Sequence, residues 1–154
     1  MKIAIIGTGN LGLSIAKGLV INNTYTTLYL TKRNLDTLSN WKEYKNITLT
    51  KDNTEALSNA DIIIFAVQPS QFDDILNEIK PILNDNHVLI STITGYTIGR
   101  METRIGNQYP IIRAMPNTAI SVGKSMTCLC NNTVGKKSLP IAEAIFKGLG
   151  TTLT

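Results

Sequence analysis

The sequence predicts an α/β fold in which helices cover both faces of a doubly wound, mostly parallel sheet. Two observations carry this. Short β-branched apolar runs alternate with amphipathic stretches along the chain, as βα units do. The run Asp61 to Val67 is apolar at successive positions rather than alternating, which suits a strand covered on both sides. Length agrees, since 154 residues make a single domain spanning 1–154 the default. A domain of that size buries about 68 to 70% of the surface its unfolded chain exposes, so it needs no disulfide or metal staple. A hydrophobic fraction of 43% against 17% charged excludes disorder, collagen and coiled coil.

The elements follow in order. Lys2 to Ile6 is a buried strand; Gly7 to Gly12 is a turn; a helix then runs to about Ile21 with Leu11, Ile15 and Leu19 facing inward. Thr27 to Thr31 and Ile47 to Thr50 are the next strands, and Asn53 to about Ala60 is a helical turn. After the strand Asp61 to Val67, Pro69 interrupts, and Ser70 with Asp73 three residues on reads as a capping box. The helix it opens carries Phe72, Ile75, Leu76, Ile79 and Leu83 on one face. His87 to Ser91 is a strand, Thr97 to Ile105 a helix, Ile111 to Met115 a strand running into Pro116, Met126 to Cys130 a seventh strand, and Ser138 to Leu149 a helix ended by Gly150. Thr151 to Thr154 looks like the start of one more strand, so a longer parent protein is expected.

Charge and composition narrow the partners. Fifteen Lys and Arg against eleven Asp and Glu give +4, and the cations are scattered, with pairs only at Lys32-Arg33 and Lys136-Lys137. A nucleic-acid surface shows a dense stripe or a known module, so a small anionic ligand is expected and nucleic acid is not. No apolar run approaches a membrane span and no signal peptide is visible, which predicts a soluble, cytoplasmic protein. Cys128 and Cys130, two apart on a strand, share one face, and packing is their expected role. They cannot supply the roughly four ligands of a zinc site, and no metal is expected.

Gly7-Thr8-Gly9-Asn10-Leu11-Gly12 is the strongest local signal. It follows a strand and opens an apolar-periodic helix, which is the context a dinucleotide fingerprint requires. Gly7 permits the tight turn, Gly9 lets backbone approach a pyrophosphate, and Gly12 lets helix and strand pack closely. This context predicts a Rossmann-like domain; the competing reading is a tight turn that binds no nucleotide. About 20 residues on, where an NAD site carries an acid, stand Thr31, Lys32, Arg33 and Asn34. A hydroxyl, two cations and an amide suit a 2′-phosphate, which predicts NADP(H) over NAD(H). The alternative is a solvated loop pair.

Three further segments lie at strand ends: Ala66-Val67-Gln68-Pro69, Ser91 to Gly95, and Arg113 to Thr118. Pro116 stiffens the last, and Asn117 can offer a donor and an acceptor to a carboxamide or ribose; plain turn chemistry explains it equally well. Asn53 is similarly divided between cofactor contact and helix N-cap. One histidine, His87, cannot build a Ser/His/Asp triad and is expected to be a structural or surface residue. No metal-ligand spacing, paired carboxylates or P-loop lysine is visible, and hydride transfer needs none of them.

Together these residues resemble the N-terminal domain of the pyrroline-5-carboxylate reductases. The resemblance runs through IAIIGTGNLG, ADIIIFAVQP, the Ile90 to Gly95 stretch and RAMPNTAISVGKSMT from Arg113. Gln68 departs from the lysine usual in the family's VKP turn, and Thr94 from its alanine. The resemblance implies that Ile6, Gly7, Thr8, Gly9, Asn10 and Leu11 hold the pyrophosphate. It places Asn34 and its basic neighbours on the adenosine ribose phosphate and makes Asn53 a cofactor contact. Ala66 to Pro69 and Thr94 to Gly95 then line the nicotinamide end, with Asn117 near it. It further implies NAD(P)H reduction of 1-pyrroline-5-carboxylate to L-proline, with hydride passing from nicotinamide C4 to the imine carbon. A helical C-terminal domain that makes a homo-oligomer and holds the small imine lies outside this sequence. No GSGPAY-like segment is present, so no catalytic residue is assigned here, and the chain alone is expected to be inactive. The rival expectations are a related reductase of another imine or a 3-hydroxyacid, an NADPH-sensing interaction module without turnover, and a scaffold that no longer binds nucleotide.

Overall fold

Eight extended segments, most of them rich in β-branched residues, join one sheet. In the computed structural model, which describes residues 1–154, the strands are β1 (Lys2–Ile6), β2 (Thr27–Thr31), β3 (Ile47–Thr50), β4 (Ile62–Phe65), β5 (Val88–Ser91), β6 (Ile111–Pro116), β7 (Ser125–Asn131) and β8 (Gly150–Leu153). The helices are α1 (Asn10–Ile21), α2 (Asn53–Ser58), α3 (Pro69–Ile79), α4 (Ile98–Ile105) and α5 (Leu139–Lys147). The spatial order is β3-β2-β1-β4-β5-β6-β7-β8. Every neighbouring pair is parallel except β6 with β7. The Rossmann-like expectation is met. No helix is long and apolar enough to cross a membrane.

Two cores of similar size lie on the two faces, one of 20 buried residues and one of 18. Ile3, Ile5, Ile62, Ile64 and Ile90 point to α1 and α5, while Ala4, Ile6, Ile63, Phe65 and Leu89 point to α2, α3 and α4. Strand residues that alternate between two covered faces explain why the sequence runs apolar without alternation. Each Ile or Leu buried this way contributes about 1.5–3 kcal/mol relative to exposure. Loss of either helical layer would therefore strand a whole row.

Several local expectations change. The strand expected over Asp61–Val67 is confined to Ile62–Phe65, because the backbone beyond Phe65 turns away to begin α3 at Pro69. The capping box at Ser70 does not form. Gln68 is the N-cap, with Pro69 in the first turn and no side-chain cap, as expected for a proline whose missing N–H costs nothing there. The Asp73 carboxylate is turned instead to Tyr96, Arg100 and Arg104. Asp52, not Asn53, caps α2, its Oδ1 accepting from the N–H groups of Thr54 at 2.8 Å and Glu55 at 3.1 Å. Cys128 and Cys130 do share a face of β7, but that face is exposed and α5 covers the other, so they do not pack into the core. A 3-10 segment at Leu35–Trp41 lacks a sequence signal in the periodicity and follows the Asn34 cap. The strand expected to begin at Thr151 is β8, which already starts at Gly150, ends at Leu153 and pairs parallel to β7.

His87 precedes β5 and is 3% exposed. Its Nδ1 accepts from the Asn84 N–H at 3.1 Å, and burial, ahead of all other influences, lowers its pKa. It is a structural residue at the N-terminal end of β5, away from the loops that leave the C-terminal strand ends.

Candidate functional site

The order of the strands reverses between β1 and β4, so the loops leaving their C-terminal ends part and leave a crevice, the usual ligand position in an open α/β sheet. A cleft of about 560 Å³ occupies it, within the size range of small-molecule sites. Gly7, Thr8 and Gly9 form its floor, and Thr31, Lys32, Arg33 and Asn34 one wall, with Asn53 beside them. Ala66, Val67 and Gln68 form the opposite wall. Most of the residues singled out from the sequence are thus brought together.

The floor is shaped by backbone. Gly7 has φ +92°, a left-handed value that favours glycine, and a Cβ there would collide with Val67. A Cβ on Gly12 would meet the Gly7 carbonyl oxygen, so α1 rests against the turn only because Gly12 has no side chain. At Gly9 a Cβ would enter open space; that position is free of the fold and faces the cleft. Gly9 is also the N-cap of α1 and supplies no side-chain cap, which leaves first-turn N–H groups open to an anion. The β2 end is tied to the floor. Thr31 Oγ1 accepts from Gly7 N–H at 3.1 Å, and Thr31 O accepts from Thr8 N–H at 3.0 Å and Thr8 Oγ1 at 2.9 Å. Thr8 is fully buried, and both its N–H and its hydroxyl are committed to Thr31.

The cationic wall carries little competing charge. The ion pairs of the chain join Asp73 to Arg100 and Arg104 and Glu143 to Lys147, and none engages Lys32 or Arg33. Lys51 lies in the same wall. It follows Thr50 as Lys32 follows Thr31, and β2 and β3 pair Thr31 with Thr50 in parallel, so the two lysines leave neighbouring strands side by side. Sequence reading missed Lys51; its equal offset from the two strand ends was the available signal. Gln71, Asp74 and Ile75 were also missed. They line the cleft from the side of α3, with Ile75 partly buried against the core that holds Phe72, Leu76 and Ile79, and Asp74 is the one carboxylate among the lining residues.

The amides are partly committed to the fold. Asn34 Oδ1 accepts from Asp36 N–H at 3.0 Å, and Asn53 Nδ2 donates to Glu78 Oε2 at 3.1 Å. Ile6 is fully buried in the sheet, its carbonyl accepting from Ala66 N–H at 2.9 Å; it holds β1 and the β4 exit together. Asn10, Leu11 and Asn117 line a second cleft, of about 580 Å³, on the other side of the glycine turn. There Asn117 caps the 3-10 segment Thr118–Val122, its Oδ1 accepting from Ala119 N–H at 3.1 Å, so the turn chemistry is real and its Nδ2 is left for other partners. Pro69, Thr94 and Gly95 are exposed at the ends of β4 and β5 and line neither cleft. No group of three or more His, Cys, Asp or Glu side chains is placed to hold a metal ion.

Residues 2–95, from β1 through the glycine turn to the end of the β5 loop, match the family model described as NADP oxidoreductase, coenzyme F420-dependent. The chain belongs to this family. Among curated members, it is 38% identical over 165 residues to pyrroline-5-carboxylate reductase 1 of Dictyostelium discoideum, covering 98% of this chain and 30% of that protein. Among solved structures, the pyrroline-5-carboxylate reductase of Coxiella burnetii superposes with a TM-score of 0.92 at 34% identity, covering 99% of this chain and 57% of that one. The Plasmodium falciparum pyrroline carboxylate reductase, solved with NADP bound, gives 0.85 at 28% identity, covering 99% and 56%. The sequence-level resemblance to these reductases is therefore borne out. The chain spans less than two thirds of the length of each of these relatives.

Proposed function

We propose that residues 1–154 are the NADP(H)-binding domain of a reductase that converts 1-pyrroline-5-carboxylate to L-proline. The observation that carries this reading is the cleft at the β1/β4 divergence, in which an uncapped helix N-terminus and three cations, Lys32, Arg33 and Lys51, surround a floor of bare backbone. That donor set fits a dinucleotide bearing a third phosphate group. The NADP bound to the Plasmodium relative supports the same choice.

In this reading each residue has a physical task. The α1 N-terminus and the Gly7–Gly9 backbone hold the pyrophosphate, and Gly9 lets it approach without a Cβ in the way. Arg33 offers a planar fork, and Lys32 and Lys51 point charges, to the 2′-phosphate. Ala66 to Pro69 and Thr94 to Gly95 flank the nicotinamide end, and the Asn117 Nδ2 donates to the carboxamide or ribose. When bound, the nicotinamide supplies hydride to the imine carbon of the substrate. The chain contributes placement and exclusion of water; the segment that binds the imine carboxylate lies outside these residues, and the chain alone does not turn over.

Calorimetric titration with NADPH and NADH tests the site. Saturable NADPH binding, tighter than NADH, is the expected result, and no binding of either would overturn the reading. Substrate-dependent NADPH oxidation by the isolated chain at an ordinary enzymatic rate, about 1–10³ s⁻¹, would overturn the claim of inactivity.

A further inference from the structure

The two segments that flank the nicotinamide end are followed, at once or about one helical turn later, by residues of one compact network. Ala66 to Gln68 lead into α3, whose first turns carry Phe72 and Asp73; Thr94 and Gly95 lead into Tyr96. The Tyr96 ring is 1% exposed. It meets Phe72 edge-on with centroids 4.7 Å apart, and Phe72 meets Phe65 at 5.1 Å. Tyr96 Oη donates to Asp73 Oδ1 at 2.5 Å. The other oxygen, Oδ2, receives Arg100 Nη2 at 3.1 Å and Arg104 Nη2 at 3.2 Å, and the Arg100 guanidinium lies 4.3 Å from the Tyr96 ring centroid. Three donors from the Tyr96–α4 side therefore converge on one carboxylate of α3.

The Thr94–Gly95 turn has little packing of its own. Both residues are exposed, Gly95 has φ +72°, and a Cβ on Gly95 would meet nothing within 4 Å. On its upstream side Thr92 ties the chain to β4, with Thr92 Oγ1 donating to Phe65 O at 2.7 Å. Downstream, the anchor is Tyr96. Aromatic packing alone buries that ring but sets no direction, and a phenylalanine would bury as well. The hydroxyl bond to Asp73 is directional and fixes how far the turn stands from the start of α3.

We propose that Tyr96 and Asp73 are positioning residues that set the separation of the Gln68–Pro69 and Thr94–Gly95 lips, and so determine how well the nicotinamide half of the cofactor is held. This rests on the NADP(H) reading above. Neither side chain touches the cofactor in this assignment; both act through the turns that precede them.

The test compares whole and half cofactor on the full chain. Tyr96→Phe keeps the ring and its packing and removes the donor. The expected result is an NADPH dissociation constant raised about fivefold or more, as loss of a charge-assisted hydrogen bond permits, with 2′,5′-ADP, which carries only the adenosine half, held within about twofold. Asp73→Asn keeps an acceptor for Tyr96 and is expected to retain most of the NADPH affinity that Tyr96→Phe loses. Equal weakening of both ligands in Tyr96→Phe would show a general loss of structure and overturn the inference, as would no change in either. A wild-type chain that binds neither ligand would reject the cofactor reading and this inference with it. A wild type that binds both and a Tyr96→Phe variant that matches it would reject this inference alone.

Discussion

The two ends of the cleft are built by opposite means. The Lys32–Asn34 end is a set of side chains on loops, with Arg33 and Lys51 exposed and unpaired by carboxylates. The Ala66–Gln68 end, with the Thr94–Gly95 turn standing just outside the cleft, is backed by Phe65, Phe72 and Tyr96, all buried. Charges on loops can be removed without leaving a cavity, so the first end can change its ligand preference at little cost to the fold. They are also screened within about 10 Å at 0.1 M salt. Backbone held by packing discriminates by shape and is insensitive to salt, and truncating the side chains that hold it disturbs the core. Affinity and stability should therefore separate at the first end and move together at the second.

The largest expected effect falls on the turn between them. Gly12→Ala drives a Cβ into the Gly7 carbonyl and to 3.3 Å from Ile5. Backbone cannot yield as a side-chain tip would, and overpacking of this kind costs about 1–3 kcal/mol. At about 2–4 °C per kcal/mol for a chain near this size, thermal melting should show a drop of several degrees together with lost NADPH binding; an unchanged Tm would mean that the turn has room for a methyl group. Next is Arg33→Ala. A hydrogen bond to a charged group is worth about 1.5–3 kcal/mol, and exposure argues for the lower end, so NADPH should weaken about tenfold. NADH affinity and Tm should stay put, and a parallel loss of NADH would break the charge-held description.

Gly9→Ala sharpens the comparison further. Its Cβ meets no protein atom, so the melt should be unaffected, while NADPH and NADH weaken alike because the new methyl stands where the pyrophosphate approaches. A fall in Tm without a change in binding would reverse the assignment of that position. The smallest effect is a pH dependence at the packed end. The hydrogen bond from Tyr96, ahead of partial desolvation, which acts the other way, and of Arg104 and Arg100, which also lower it, holds the Asp73 carboxyl below its ordinary value. A carboxyl with a depressed folded pKa binds fewer protons folded than unfolded, so its contribution to stability is complete above about pH 4 and is lost as the pH falls through the folded value. Asp73→Asn should flatten that part of the acid limb of a Tm against pH curve; a limb as steep as in the wild type would assign the acid response to other carboxylates.

Much of the fold was legible because its signals are local. The apolar runs at Lys2–Ile6, Thr27–Thr31 and Val88–Ser91 are strands because short runs of aliphatic, β-branched and aromatic residues suit a covered sheet. The glycine turn was legible because strand, turn and helix are contiguous. What escaped depended on distant partners. Ser70 and Asp73 have the spacing of a capping box, but Pro69 already starts the helix and Arg100, Arg104 and Tyr96 compete for the carboxylate. Asn53 has the composition of a cap, yet Asp52 lies one residue nearer the β3 exit and takes the role. Cys128 and Cys130 share a face, as their spacing requires, but nothing in that spacing says which face α5 would cover.

The sequence by itself determined the class of fold, the glycine turn, the cationic pair and the family, because each is written in contiguous residues whose conformational preferences hold in any context. Only the tertiary structure decided that Lys51 joins Lys32 and Arg33. It alone sent Asn117 to a different cleft from Asn53, and it alone made Asp73 a tie from α3 to Tyr96 and α4 rather than a helix cap. Parallel pairing brings residues about 20 positions apart to the same edge, and the choice among competing partners for one carboxylate depends on which of them the packed helices deliver to it.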